Sequence, residues 1–266
     1  MNDLFQRLKP KERRGSKPRC HFLTHGSPEH VARNLNQLIS PFGSVSPGDC
    51  WMPQGFENID EAQLDRVPGL LDAKIATQLR EWWLATNTPN ARTPNFDIAS
   101  TCTIEGRPGL LLIEAKAHDE ELNKEIARKI LRKDASQGSI TNHEKIAAAI
   151  VTAREGLHEA TSLQWQISRD SHYQMSNRFA WSWKLTELGF AVALVYLGFL
   201  RAEEMKDKGN PFADHSDWER IVKAHSNPLF SPEAWNRQWT LNGKPFIPLI
   251  RSVEQRLDLV TQEARL

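Results

Sequence analysis

Cysteine is scarce in this chain: Cys20, Cys50 and Cys102 are the three in 266 residues, and they lie far apart. An odd, scattered set argues against a disulfide framework and for a reducing cytosol, so a cytoplasmic location is expected. Long hydrophobic runs are missing as well. The longest, Phe190–Leu200 (FAVALVYLGFL), has eleven residues, too few to span a bilayer as a helix but suited to a buried strand. The opening segment MNDLFQRLKPKERRGSKPRC lacks the apolar core of a secretory signal. No membrane partner is therefore expected. Net charge is nearly absent, with 34 Lys+Arg against 33 Asp+Glu. That balance removes any global bias toward polyanions, so a nucleic-acid site would have to be a local patch. Internal repeats and low-complexity tracts are absent.

What is present is enough apolar material for a core. Hydrophobic residues make up 39%, with nine Trp and eleven Phe needing cover, which argues against disorder along the whole chain. The length suits one large domain or two small ones. Residues 1–20 carry seven basic residues against two acidic ones and read as a flexible tail, or else as a nucleic-acid arm. Residues 21–266 read as a single α/β domain. A helix at Pro28–Leu38 is opened by Ser27 as its cap and Pro28 in its first turn. Asp60–Asn87 reads as a helix interrupted near Pro68, since Leu71, Ile75, Leu79, Trp82 and Trp83 recur at three- and four-residue steps. FDIASTCTI and LLLIEAKA are strand-like runs joined by the turn EGRPG, which makes a hairpin. Two helices follow over 119–160, the first containing a favourable Glu125–Lys129 pair. Asn142 reads as an N-cap in this stretch. A further helix over 171–188 is stopped by Gly189 and leads into the strand 190–200. DHSDWERIVKAH, SPEAWNRQW and the amphipathic RSVEQRLDLVTQEARL read as helices of a C-terminal decoration spanning 202–266.

The strongest chemical constellation is Asp97 with Glu114-Ala115-Lys116. In a strand, residues two apart share a face, so Glu114 and Lys116 point together. The run before them, LLLI, suits a buried central strand, where charges are costly unless paired or bound to a metal. With EGRP as a four-residue loop, Ile104 faces Gly109 and Asp97 falls opposite Lys116. All three charges then meet at one end of the hairpin. Two carboxylates close enough to share a cation suit a hard divalent ion such as Mg²⁺. Such an ion offsets their repulsion and activates a water, while the lysine orients that water or stabilises a phosphate. These parts suit phosphodiester hydrolysis. The plainer reading is a salt bridge at a sheet edge.

The pattern PNFD followed by IEAK resembles the PD-(D/E)xK, or restriction-endonuclease-like, nuclease superfamily. In that superfamily a helix precedes a hairpin bearing Asp and Glu-x-Lys, and a further helix and strand complete an αβββαβ core. The helix 60–87, hairpin 95–117, helix 171–188 and strand 190–200 occur here in that order, over roughly half the chain. Two departures are visible: Asn95 and Phe96 separate Pro94 from Asp97, and the helical segment 118–170 is inserted after Lys116. The resemblance implies a mixed central sheet flanked by helices and a Mg²⁺- or Mn²⁺-dependent nuclease acting on DNA more readily than RNA. Asp97 and Glu114 would bind the metal, and Lys116 would position or activate water.

Three further residues are candidates on the same basis. Glu81, near the end of the first helix, is either the additional acidic residue some members carry or a solvated side chain. Gln174, Asn177, Arg178 and Trp181 share one helix face. Either that face looks to solvent, or Arg178 holds the scissile phosphate and Gln174 touches water or DNA. The insertion would shape the substrate groove or mediate a homodimer. The alternative function is a catalytically inactive nucleic-acid-binding or interaction module on the same fold, recognisable by carboxylates that are apart or blocked. Cys20, His21, His25 and His30 lack a second nearby cysteine, so a structural zinc site is not expected.

Overall fold

The apolar run at 190–200 holds a strand, Ala191–Phe199, as its length and its apolar character on both faces suggest, and it lies inside the sheet. The computed structural model describes residues 3–86 and 91–257. In chain order the elements are α1 (Ser16–Leu23), α2 (Pro28–Ile39), β1 (Gly43–Ser44), β2 (Trp51–Met52), β3 (Ala62–Gln63), α3 (Ala73–Trp83), β4 (Asn95–Phe96), β5 (Ile98–Ile104), β6 (Arg107–Lys116), α4 (Asp119–Glu125), α5 (Gln137–Thr161), α6 (Tyr173–Glu187), β7 (Ala191–Phe199), α7 (His215–Ser226), β8 (Trp239–Leu241) and β9 (Lys244–Val253). The fold is α/β, with a mixed sheet in the order β1-β5-β6-β7-β9-β8 and β2 also pairing with β5. β5 and β6 are antiparallel, whereas β6, β7 and β9 run parallel. Among the described residues no helix is long and apolar enough to cross a membrane.

Each central strand is buried on both faces, so its alternate residues feed two cores. Leu111 and Ile113 of β6 and Ala193, Val195 and Leu197 of β7 pack with Leu35, Leu38 and Ile39 of α2. Leu110 and Leu112, with Val192 and Leu194, face the larger core, which holds Trp83 of α3, Ile150 of α5, Phe179 and Trp181 of α6 and Trp218 of α7. Glu114 and Lys116 continue the second series. Their side chains therefore emerge at the β6 end on the α6 face.

Several expectations need correction. The basic segment is not a loose tail: within 3–20, Leu8 is 1% exposed, and α1 buries Arg19, which pairs with Glu204. The sheet hairpin is tighter than a four-residue loop. Glu105 and Gly106 both take positive φ (50° and 71°), the signature of a two-residue turn matched to strand twist, and Ile104 faces Arg107. The register moves by two residues, so the faces are preserved. The helix expected over 60–87 begins only at Ala73, where the Asp72 carboxylate accepts from the Lys74 and Ile75 amides. The helix after Lys116 stops at Glu125, and residues 126–136 are irregular before α5. Asn142 is no cap: buried within α5, it accepts from the Thr86 amide at 2.8 Å and donates to its carbonyl at 3.0 Å.

The C-terminal region is only partly helical. β9 is a full member of the sheet, paired along β7 from Val192↔Phe246 to Phe199↔Val253. Residues 251–253 of the expected terminal helix thus belong to a strand, and 258–266 lie outside the described residues.

Candidate active site

Where β5 ends, β6 continues, and the unpaired stretch is occupied by a side chain. The last β5–β6 pair is Ile98↔Ile113. One step beyond it Asp97 leaves the strand path, and its Oδ2 accepts the Ala115 amide at 2.7 Å. Asp97 is therefore held at the level of Glu114 and Ala115 rather than opposite Lys116. No described residue bonds to its other oxygen. Asp97, Glu114 and Lys116 line one cleft of about 530 Å³, together with Gln174 and Arg178 of α6. The separation of the strands in sequence is thus closed by the hairpin, and α6 brings its polar face over the β6 end.

Glu114 is the hub of this cluster and is 2% exposed. Its Oε1 accepts from Gln174 Nε2 at 2.6 Å and pairs closely with Lys116 Nζ. Its Oε2 accepts from Arg178 Nε at 2.7 Å and lies 2.7 Å from the second guanidinium nitrogen. Four donors match the roughly four lone-pair directions of a carboxylate. Burial alone would push the Glu114 carboxyl up, but Arg178 and Lys116 overcome it and hold it below the ordinary value. Arg178 is in turn fixed by Asn177 Oδ1 at 2.6 Å and by the Phe96 ring, 4.7 Å from its guanidinium carbon. Its first task is to hold Glu114, and only part of its donor fork is left for a phosphate.

Lys116 has a second partner that the sequence pattern hid. Its Nζ lies 2.7 Å from Oε1 of Glu125, whose side chain is fully buried. Burial favours the neutral amine, but Glu114, Glu125 and Asp97 outweigh it and hold Lys116 firmly charged. This lysine is a fixed cation, not a base that takes a proton from water. Asp97 stands in contrast. Burial, then the neighbouring Glu114, push its carboxyl well above the ordinary range, and Lys116 and the Ala115 amide only partly counter this. Among the described residues, no cation lies within ion-pair distance of Asp97.

Glu81 does not join the site. It is exposed on α3 and does not line the cleft. The additional carboxylates of the cleft are Glu61 and Glu121. Glu61 accepts from Asn95 Nδ2 at 3.1 Å, and Glu121 caps the Ala117 amide. Glu121 stands five residues after Lys116 in sequence, in the first turn of α4, and that placement was the available signal. α1 also closes one side through Ser16, which no sequence pattern indicated.

The donor set was tested against a hard divalent cation. Among the described residues, no three His, Cys, Asp or Glu side chains are grouped closely enough to hold a metal by themselves. Mg²⁺ does not need such a cage, because it keeps waters and uses one or two carboxylates with substrate phosphates. Asp97, with an unbonded oxygen and no paired cation, fits that demand. Glu114 fits once the neutral Gln174 amide, the weakest of its four donors, gives way. No family model, no curated protein and no solved structure matches this chain.

Proposed function

We propose that the cleft at the end of β6 is the active site of a divalent-cation-dependent nuclease that hydrolyses phosphodiester bonds, of DNA before RNA. The observation that carries this reading is Asp97: a carboxylate beside Glu114 in the cleft wall that, among the described residues, has one oxygen free and no cation opposite it. Such an arrangement is costly unless a cation offsets the charge. The order α3, hairpin β5–β6, α6, β7 supports the PD-(D/E)xK resemblance, as does the parallel crossover from β6 to β7.

When bound by Asp97 and Glu114, Mg²⁺ or Mn²⁺ would supply charge neutralisation and an acidified water. The chain's own residues do the positioning. Asp97 is oriented by the Ala115 amide, and Glu114 by Arg178 and Lys116. Lys116, held charged, donates toward whatever oxygen enters the cleft beside Glu114. The free N–H groups of Arg178 and the Gln174 amide are the next donors available to a phosphate.

The inactive binding module is the second reading, favoured by one observation: all four acceptor directions of Glu114 are occupied by protein donors. The two are separated by incubating purified protein with single- and double-stranded DNA and RNA under Mg²⁺, Mn²⁺ or EDTA, beside Asp97→Asn. Metal-dependent cleavage that Asp97→Asn removes supports the nuclease. A folded wild type that binds nucleic acid and cuts none of it under either metal leaves the binding module.

A further inference from the structure

Beyond the cleft that holds Glu114 lies a second one of about 740 Å³, and Arg92 lines both. One wall of it is made by residues 129–132 and 134–136 of the irregular segment between α4 and α5, with Arg128 and Lys133 exposed beside it. This segment is basic: Arg128, Lys129, Arg132 and Lys133 fall within six residues. None of the four lies within 4 Å of a described carboxylate, and the same holds for Arg92 and for Lys124 in the first cleft. Lys129 lies over the Tyr173 ring and Asp134 stands in the same wall, but Arg128, Arg132 and Lys133 are exposed against that one acid, which in a chain of net charge +1 makes a local positive field beside the candidate site. The segment is also fixed at its middle. The Lys129 amide donates to the Arg169 carbonyl at 2.9 Å, and the His143 ring bonds the Lys129 carbonyl at 3.0 Å.

Between these cations the chain exposes apolar side chains. Ile130 is 76% exposed and Ile126 49%, the most exposed large hydrophobic residues found among those described. Water is a poor environment for them, and phosphates offer them nothing. The faces of unstacked bases do, and those faces are accessible in a single strand and hidden in a duplex. Cations for the backbone interleaved with apolar contacts for bases match the chemistry of single-stranded nucleic acid.

We propose that the segment 126–136, with Arg92, binds a single-stranded stretch of nucleic acid and leads it into the Glu114 cleft. This rests on reading that cleft as a nucleic-acid site, and it adds the strandedness of the substrate.

The test measures binding without catalysis. Fluorescence anisotropy in EDTA compares labelled oligothymidylate, oligouridylate and a blunt DNA duplex, against wild type, Arg128→Glu/Arg132→Glu/Lys133→Glu and Ile130→Ser, across a salt series. The residues reversed are exposed and unpaired, so the fold should be unaffected, and circular dichroism checks it. The wild type should bind a single strand at least tenfold more tightly than the duplex. The triple variant should lose at least tenfold, and its salt slope should fall by about 2, the share of three phosphate contacts on a single strand. Ile130→Ser should narrow the preference over duplex without changing the slope. The two labelled strands differ in both the sugar 2′-hydroxyl and the base methyl, so a difference between them reports discrimination by either group. A triple variant that binds like wild type overturns the proposal, as does equal binding of duplex and single strand. Cleavage under Mg²⁺ or Mn²⁺, measured in parallel, is read separately. If wild type cleaves while the triple variant binds and cleaves unchanged, the surface fails and the nuclease stands. If nothing is cleaved but the binding differences appear, the surface stands and the nuclease fails.

Discussion

Glu125 places a fully buried carboxylate 2.7 Å from the ammonium of Lys116, which also pairs with Glu114. One lysine thus serves two buried acids, whereas Glu114 has a second cation in Arg178. Apart from Lys116, the nearest nitrogen able to face Glu125 is His225 Nε2, 3.6 Å away. The two acids therefore depend on Lys116 unequally.

That asymmetry is measurable. Lys116→Met leaves Glu125 buried without a cation, which should cost about 3–5 kcal/mol, the usual penalty of breaking a buried pair by removing one partner. Glu125→Gln should cost less, because Lys116 keeps Glu114. Combining the two should recover stability relative to Lys116→Met alone, by coupling energy of about 1–3 kcal/mol. Urea denaturation of the four proteins completes the cycle. A double variant no more stable than Lys116→Met would show that Glu125 does not depend on this lysine.

Asp97 and Glu114 should separate charge from fold. Glu114→Gln strips Arg178 of its anion and should destabilise the protein by about 3–5 kcal/mol, so lost activity in that variant alone is ambiguous. Asp97→Asn removes a charge that has no cation and that Glu114 repels, while the amide oxygen still accepts from Ala115. It should leave stability at neutral pH equal or higher. Mg²⁺ should raise the melting temperature of wild type, by about 2.7 kcal/mol of stabilisation at a hundredfold excess over Kd, and should not do so for Asp97→Asn. Cleavage should fall on the order of a hundredfold or more in the same variant. Thermal scans showing an identical Mg²⁺ shift in both proteins would remove Asp97 from the cation site.

His21 gives the pH dependence. It is 2% exposed, its ring lies 5.4 Å from that of Phe56, and among the described residues neither nitrogen has a well-formed hydrogen bond, the Gly55 backbone being the nearest help. Burial and then Lys17 lower its pKa from 6.5 to about 4. The unfolded chain therefore binds a proton that the folded one refuses. Stability from this group is complete above pH 6.5 and is lost as pH falls toward 4, by about 3 kcal/mol in all. His21→Leu should flatten the difference in unfolding free energy between pH 7.5 and pH 4.5, read from urea denaturation, by about 2.5 kcal/mol, the greater part of that amount. An unchanged pH profile would mean that His21 gains its proton without opening the fold.

The sequence was legible where one element decided its own state. The apolar run 190–200 suited a buried strand and holds one over 191–199, and Ser27 before Pro28 suited a helix start; its hydroxyl accepts from the His30 amide. It was misleading where partners came from elsewhere. Glu125 pointed to Lys129 by helical spacing, but α4 ends at Glu125 and its carboxylate turns back to β6. β9 was hidden by Pro245 and Pro248, which argue against a strand. Pro248 is tolerated because β8 stops at Trp239↔Phe246, leaving no ladder bond to lose on that side. A usable signal was overlooked there: Asn242-Gly243, at φ of 50° and 69°, makes the tight turn between β8 and β9. Glu81 was chosen for its place near the end of the helix before the hairpin, and its exposure matches the alternative of a solvated side chain, because position along a helix does not say which face meets the sheet end.

Gly198 tests the packing behind the end of β6. It lies opposite Lys116 in the β6–β7 register, and a Cβ there would stand 2.6 Å from the Trp218 indole. That ring is fully buried and anchored by its own N–H to the Tyr196 carbonyl at 3.2 Å, so it cannot swing away cheaply. In an inner strand, replacing glycine by alanine ordinarily helps slightly, since the backbone loses less freedom on folding. Here overpacking should dominate, and Gly198→Ala should destabilise by about 1–3 kcal/mol. Trp218→Phe, which vacates part of the indole volume, should relieve most of that cost when combined with it, though alone it loses contacts and one hydrogen bond. Chemical denaturation of the two single variants and the double decides the matter. Strict additivity would mean that the clash is absorbed by the strand rather than by the ring.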